Sequence, residues 1–342
     1  MNMSKHLDEL KDIIKQYEID THLGDFNKKL YALSALIEIE AMEDVESSVP
    51  ARLFEDSIIS EFLNRKDNEG FVGTGLTAFD RINGEFKGGE FFILAGLEGM
   101  GKTVLMIEIA NHWAANGKKV GFLNLEESTK QITKKFLANI GRLSPAFFNK
   151  EWGSKEANLK LINAAKILKA NPIYLYENPN LDLNKLIVQI RKLVSDRKVE
   201  IVFIDYLELI IVGELNNKTD TNRTIICNNL KQLAIQLNIV LIVGSQLPRN
   251  SYASSINNNR PEYCDLVAKG FIEPNTDTVI VHRSDYFGIE LDENNQPTKN
   301  RMELVIAKYS TGTFIDVPAK TAFDISAIMD IDYSEIWRTN LK

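Results

Sequence analysis

A glycine-rich octapeptide, Gly96-Leu97-Glu98-Gly99-Met100-Gly101-Lys102-Thr103, constrains this chain more than any other feature. It matches G-x-x-x-x-G-K-[ST] and lies between an apolar run at 91–95 and a helical stretch at 104–113. Glycines let backbone N–H groups fold around phosphate oxygens, and the following helix adds a favourable dipole. Lys102 reaches the outer phosphates and Thr103 ligates Mg²⁺. The motif therefore predicts an α/β core holding ATP and Mg²⁺, with the nucleotide against Gly96, Glu98, Gly99, Met100, Gly101, Lys102, Thr103 and Val104. At ordinary glycine usage a chance match arises in on the order of one chain in a hundred, before strand and helix flanks are required.

The rest of the chain supplies the sheet that such a loop needs. Short β-rich runs at 91–95, 120–125, 173–176, 201–206, 239–244 and 279–282 alternate with helical stretches, the pattern of βα units and a mostly parallel sheet. Runs at 303–308 and 314–317 have only turn-like residues between them, so the sheet is expected to end in antiparallel strands. Before the core, 1–46 reads as a short helical region with two apolar-spaced segments, and 47–70 as a linker helix opened by Pro50. Phe54, Ile58, Ile59, Phe62 and Leu63 give that helix an apolar stripe, which fits docking on its own core or on a neighbouring subunit. The ATPase domain is expected to span 71–342.

At 342 residues with 44% hydrophobic content, the chain can bury a sizeable core. The run at 201–212 is interrupted by Asp205 and Glu208 and is too short for a bilayer span, so no transmembrane helix is expected. The first 16 residues lack the apolar core of an export signal, which points to the cytoplasm. Cys227 and Cys264 stand outside any metal or disulfide spacing, and the histidines (His6, His22, His112, His282) are scattered, so none is assigned a role. A net charge of −7 argues against coating of nucleic acid by the whole surface, though not against a basic lining within a channel.

Hydrolysis of a bound triphosphate needs more than the loop. An acidic residue at the end of a neighbouring apolar strand holds the metal, and Ile201-Val202-Phe203-Ile204-Asp205 offers Asp205 for that purpose. A base must polarise the attacking water. Glu126, after the strand at 120–125, is the better candidate, because alternation sends Glu127 to the opposite face. Gln246, after the strand at 239–244, stands where a γ-phosphate could be sensed; a simple loop residue is the plain alternative.

In order and spacing these landmarks resemble the C-terminal ATPase domain of DnaB-type replicative DNA helicases, a RecA-like fold, over about 70–325. Thr74-Gly75-Leu76-Thr77-Ala78-Phe79-Asp80 looks like the family's entry motif. Asn124-Leu125-Glu126 looks like its S-L-E, and Ile204-Asp205-Tyr206-Leu207-Glu208-Leu209 like its I-D-Y-L-Q-L. Ser245-Gln246-Leu247-Pro248-Arg249, Arg260-Pro261 with Asp265-Leu266, and Ile306-Ala307-Lys308 continue the match. The resemblance implies a hexameric ring hydrolysing ATP between subunits and moving along single-stranded DNA, with a primase or helicase loader as a partner. It also implies that the linker helix docks on the adjacent subunit, that Arg249, Lys269 and Gly270 lie on the DNA side, and that Lys308 acts across the interface.

Departures from the family qualify the expectation. Where I-A-K-x-R-x-G carries a trans-acting arginine, this chain has Ser310. Arginine fingers contribute roughly 10³–10⁵ in turnover, and Lys308 offers a point charge without the bidentate fork. The family's R-E-S-G loop reads Val267-Ala268-Lys269-Gly270, leaving Lys269 either as a phosphate contact or as a solvated lysine. The first 45 or so residues are too few for the family's full N-terminal domain. A hydrolysis-impaired paralogue, acting as loader, adaptor or single-strand binder, is therefore the alternative, with another RecA-like ATPase behind it.

Overall fold

Apolar runs rich in valine, isoleucine and phenylalanine become the central strands of a computed structural model. It describes residues 73–83, 86–149, 154–179, 181–213, 220–249, 263–268, 270, 276–292, 295–308 and 313–330. In chain order the elements are α1 (Thr77–Asn83), β1 (Phe91–Gly96), α2 (Lys102–Ala115), β2 (Val120–Asn124), α3 (Thr129–Gly141), α4 (Lys155–Ala170), β3 (Ile173–Glu177) and α5 (Leu183–Arg197). They continue with β4 (Ile201–Asp205), α6 (Asp220–Leu237), β5 (Val240–Gln246), α7 (Tyr263–Ala268), β6 (Asp277–His282), β7 (Arg301–Lys308), β8 (Thr313–Ala322) and β9 (Ala327–Asp330).

Among the described residues these strands form one nine-stranded sheet, ordered β3-β2-β4-β5-β1-β6-β7-β8-β9. From β3 to β6 the pairings are parallel, and from β6 to β9 they are antiparallel. The mostly parallel sheet with antiparallel strands at its C-terminal side is thus present as expected. Strands β1, β2 and β4 are buried along their whole length, which is why they read as continuous apolar runs rather than alternating ones.

Two details were not visible in the pattern. Strand β8 runs through Pro318 to Ala322, and β9 adds a further strand. Among the described residues, pairing with β9 runs from Ala319 to Ala322, and Pro318 stands opposite Glu303 of β7. With four residues, preceded by Ser326 in the left-handed region, β9 is too short to show a period.

Helix α2 is apolar on several sides because it is covered on several sides. Leu105, Met106, Ile107, Ile109, Ala110 and Trp113 are all buried. Trp113 joins a run of rings through the core: Phe86 at 5.3 Å, Phe203 at 5.8 Å, then Phe122 at 5.8 Å from Phe203 and Phe136 at 5.4 Å from Phe122. This run ties α2, β2, β4 and α3 together through the core.

The entry motif has a local reason of its own. Asp80 turns back on the loop before α1, accepting from Thr74 N at 2.7 Å and from Thr74 Oγ1 at 2.8 Å. A Cβ at Gly75, whose φ is 87°, would come within 2.7 Å of the His112 ring on α2, so the motif seats the loop against the phosphate-loop helix. No helix among the described residues is long and apolar enough to cross a membrane.

Candidate functional site

The octapeptide leaves the C-terminal end of β1, in the middle of the sheet, and runs into α2, where ligands of open α/β sheets bind. Its side chains divide as the backbone requires. Glu98 is exposed, whereas Met100 is fully buried, so Met100 can offer a ligand only its backbone. Gly101 has φ 96°, and a Cβ there would meet the Phe323 ring at 2.8 Å. Only glycine satisfies both the backbone angle and the close approach. Gly101 is also the N-cap of α2 and supplies no side-chain acceptor, so the first N–H groups of that helix are left for a ligand. By contrast Ser128 and Gln131 close a full capping box on α3.

Lys102 folds back over the loop, its Nζ donating to Gly96 O at 2.8 Å and Leu97 O at 2.9 Å. Burial pulls its pKa below the usual lysine range, with the charges of Asp205, Glu208, Glu126 and Glu98 partly restoring it. Next to it, Thr103 Oγ1 donates to Asp205 Oδ2 at 2.7 Å, joining the start of α2 to the end of β4. Asp205 is 3% exposed, and burial raises its pKa against the opposing effects of the Thr103 hydrogen bond, Lys135 and Lys102. A Cβ at Gly244 would stand 3.1 Å from Asp205 Oδ1, so the glycine in β5 makes room for this carboxylate. A hydroxyl beside a carboxylate, both hard oxygen donors, next to an ammonium and an uncapped helix start is a donor set that fits Mg²⁺ and a polyphosphate.

Glu126 follows directly. Leu125 N donates to Asp205 O at 2.9 Å, bringing the end of β2 alongside the end of β4. Glu126 is exposed, and its pKa is raised first by desolvation and then by Asp205 and Glu127, with Lys135 opposing. Glu127 is engaged elsewhere, 2.6 Å from Lys135 Nζ, and Asn124 Nδ2 donates to its backbone carbonyl.

Gln246 ends β5 in register with Gly96, between the phosphate loop and the Asp205 strand. Its side chain is half-buried, and Arg249, just beyond the strand, is exposed. Lys102, Thr103, Asp205, Glu126 and Gln246 therefore gather at one end of the sheet. Lys308 ends β7, separated from β1 by β6, and its side chain is outside the described residues. Gly270 has φ 68° and donates to Val267 O at 2.9 Å, closing α7. Lys269, Ser310, the linker helix at 47–70 and the helical region at 1–46 lie outside the described residues.

Two residues that sequence reasoning gave no role stand against this site. Glu208 accepts from Ser245 Oγ at 2.7 Å and Gln246 N at 3.0 Å. Arg283 reaches Gly99 O at 3.4 Å, is held by Asp285, and lies 4.4 Å over the Phe323 ring. Glu208 sat inside a quoted motif and carried a signal of position; Arg283 sat in none.

Residues 71–327 match the family model described as DnaB-like helicase C terminal domain. A probable plasmid replicative DNA helicase of Chlamydia psittaci is 30% identical over 242 residues, covering 70% of this chain and 51% of that protein. The replicative DNA helicase DnaB of Geobacillus stearothermophilus is 28% identical over 313 residues, 87% of this chain and 64% of its own length. The chain thus spans between half and two thirds of these relatives. In fold it is similar to a solved structure described as an ATPase domain, with a TM-score of 0.71 and 23% identity over 82% of this chain and 99% of that one. It is also similar to a DnaB-like replicative helicase solved in a study of its interactions with primase, with a TM-score of 0.77 and 22% identity over 96% of this chain and 76% of that one. The core is RecA-like, and with its matched region running from the entry motif to the last strand, the chain belongs to the family of the DnaB-like helicase C-terminal domain.

Proposed function

We infer that this protein is an ATP-driven DNA helicase: a ring of identical subunits, expected to be six, that hydrolyses ATP between neighbours and moves along single-stranded DNA in the cytoplasm. The observation that carries the reading is the Thr103–Asp205 contact beside the half-buried Lys102, at an uncapped helix start. Membership of the family supports it.

In this reading the backbone from Gly96 to Val104 and Lys102 hold the triphosphate, while Thr103 and Asp205 hold Mg²⁺, which would neutralise charge developing on the phosphates. Lys102 exchanges its two loop carbonyls for phosphate oxygens. Glu126, with its pKa raised, takes a proton from the attacking water, and Gln246 senses the γ-phosphate. Lys308 contributes charge from the neighbouring subunit, and Arg249, Lys269 and Gly270 contact the DNA backbone. A primase or a loader is a further partner.

A second reading, a ring that binds ATP but turns it over slowly and serves another helicase, rests on Ser310 at the arginine-finger position alone, and the family match does not favour it. Turnover with and without single-stranded DNA separates the two: strong stimulation supports the motor, and nucleotide binding without turnover supports the adaptor. Lys102→Ala is expected to abolish binding of a fluorescent ATP analogue while the protein stays folded. Wild-type affinity in that variant would remove the phosphate loop from the argument and both readings with it.

A further inference from the structure

Of the carboxylates whose charge reaches Lys102, Glu208 has no part in the chemistry above. It stands in the short 3-10 turn Leu207–Leu209, three residues beyond Asp205, with its side chain 17% exposed. Its two oxygens are used separately: Oε1 accepts the buried Ser245 hydroxyl at 2.7 Å, and Oε2 accepts the Gln246 N–H at 3.0 Å. Arg223 of α6 approaches Oε1 at 3.5 Å.

The sheet explains why such a grip is needed. The ladder between β4 and β5 stops at Ile204 and Val243. Beyond it Ser245 and Gln246 remain paired to Ala95 and Gly96 of β1, but β4 has turned away and gives them no partner on its side. Glu208 fills that side with a side chain. With β1 holding one side of the strand end, the two bonds to adjacent residues tie its other side to the Asp205 turn.

We propose that Glu208 is a positioning residue, which holds the end of β5 so that the Gln246 side chain stays aligned with the triphosphate and with Asp205. The inference rests on the ATPase reading above. The residue acts through Gln246 and touches no reacting atom.

Two substitutions separate reach from charge. In Glu208→Gln the amide oxygen can accept from Gln246 N–H while the amide N–H donates to Ser245 Oγ, so both contacts survive and the charge, with its attraction to Arg223, is lost. In Glu208→Asp the charge survives, but the shortened side chain cannot span both partners. Steady-state ATPase with single-stranded DNA, together with titration of a fluorescent ATP analogue, gives the test. Glu208→Asp is expected to lose about 10–100-fold in kcat, the cost typical of removing a supporting contact. Its nucleotide Kd should stay within about twofold of wild type, and Glu208→Gln should keep most of the turnover. Ser245→Ala should lower kcat in the same direction, and its effect should largely vanish in the Glu208→Asp background, because both remove one contact.

Wild-type turnover in Glu208→Asp, equal losses in the Asp and Gln variants, or a fall in affinity matching the fall in kcat would each overturn the positioning role while leaving the enzyme intact. A wild-type protein that binds ATP yet never hydrolyses it would instead sink the ATPase reading, and this inference with it.

Discussion

Half-buried Lys102 and buried Asp205 are desolvated against the preference of their own charges: desolvation lowers the pKa of one and raises that of the other. A phosphate and a cation at the proposed site would relieve both. Glu126 carries the same logic into a testable pH dependence. A base works only when ionised, so the acid limb of kcat follows its pKa, and burial, Asp205 and Glu127 place that limb above the ordinary glutamate range. Glu127→Gln removes one like charge and releases Lys135 from its 2.6 Å pairing. Both changes lower the Glu126 pKa, so the limb in a kcat–pH profile should move to lower pH. A limb that stays put or rises would take Glu126 out of the base role. Alternation along the strand is what ranks Glu126 over Glu127 in the sequence; the lysine that occupies Glu127 comes from α3 and depends on packing.

Between elements, a polar knot fastens the phosphate-loop helix to the end of the sheet. Glu108 of α2 accepts two bonds from Arg142 at 2.7 Å each, one from Asn139 Nδ2 at 2.8 Å and one from Ile328 N of β9 at 3.2 Å. Asn139 Nδ2 also donates to Ser326 O at 2.8 Å, and Asn111 Nδ2 to Asn139 Oδ1 at 2.6 Å. Glu108→Ala strands these donors, and the expected loss is about 1–3 kcal/mol. Urea unfolding should show it as a lower midpoint with an unchanged slope, and an unchanged midpoint would mean that water replaces the carboxylate fully. The strands that Glu108 does not touch were legible as apolar runs; β9, which it does, was not. Four residues are too few for a period, and their place is fixed by partners on α2 and β8.

For the whole molecule the open question is what completes the site. Lys308 ends β7, with β6 between it and the strand that bears the glycine-rich loop. Ser310 two residues later lacks the guanidinium expected there. Ser310→Arg should recover part of the roughly 10³–10⁵-fold contribution of an arginine finger, and only at concentrations where native mass measurements find the ring assembled. An unchanged rate in the assembled ring assigns the role to another residue, Lys308 first.

By itself the sequence determined the place of the glycine-rich loop, the parallel core and the acidic residue at the end of β4, because each is written in a contiguous stretch with its own period or spacing. Tertiary structure alone decided that Phe323 closes over Gly101, that Glu208 grips the end of β5, and that Glu108 reaches a strand 220 positions away. Such contacts join side chains through space across folded layers, and no local pattern records which distant backbone will come to meet them.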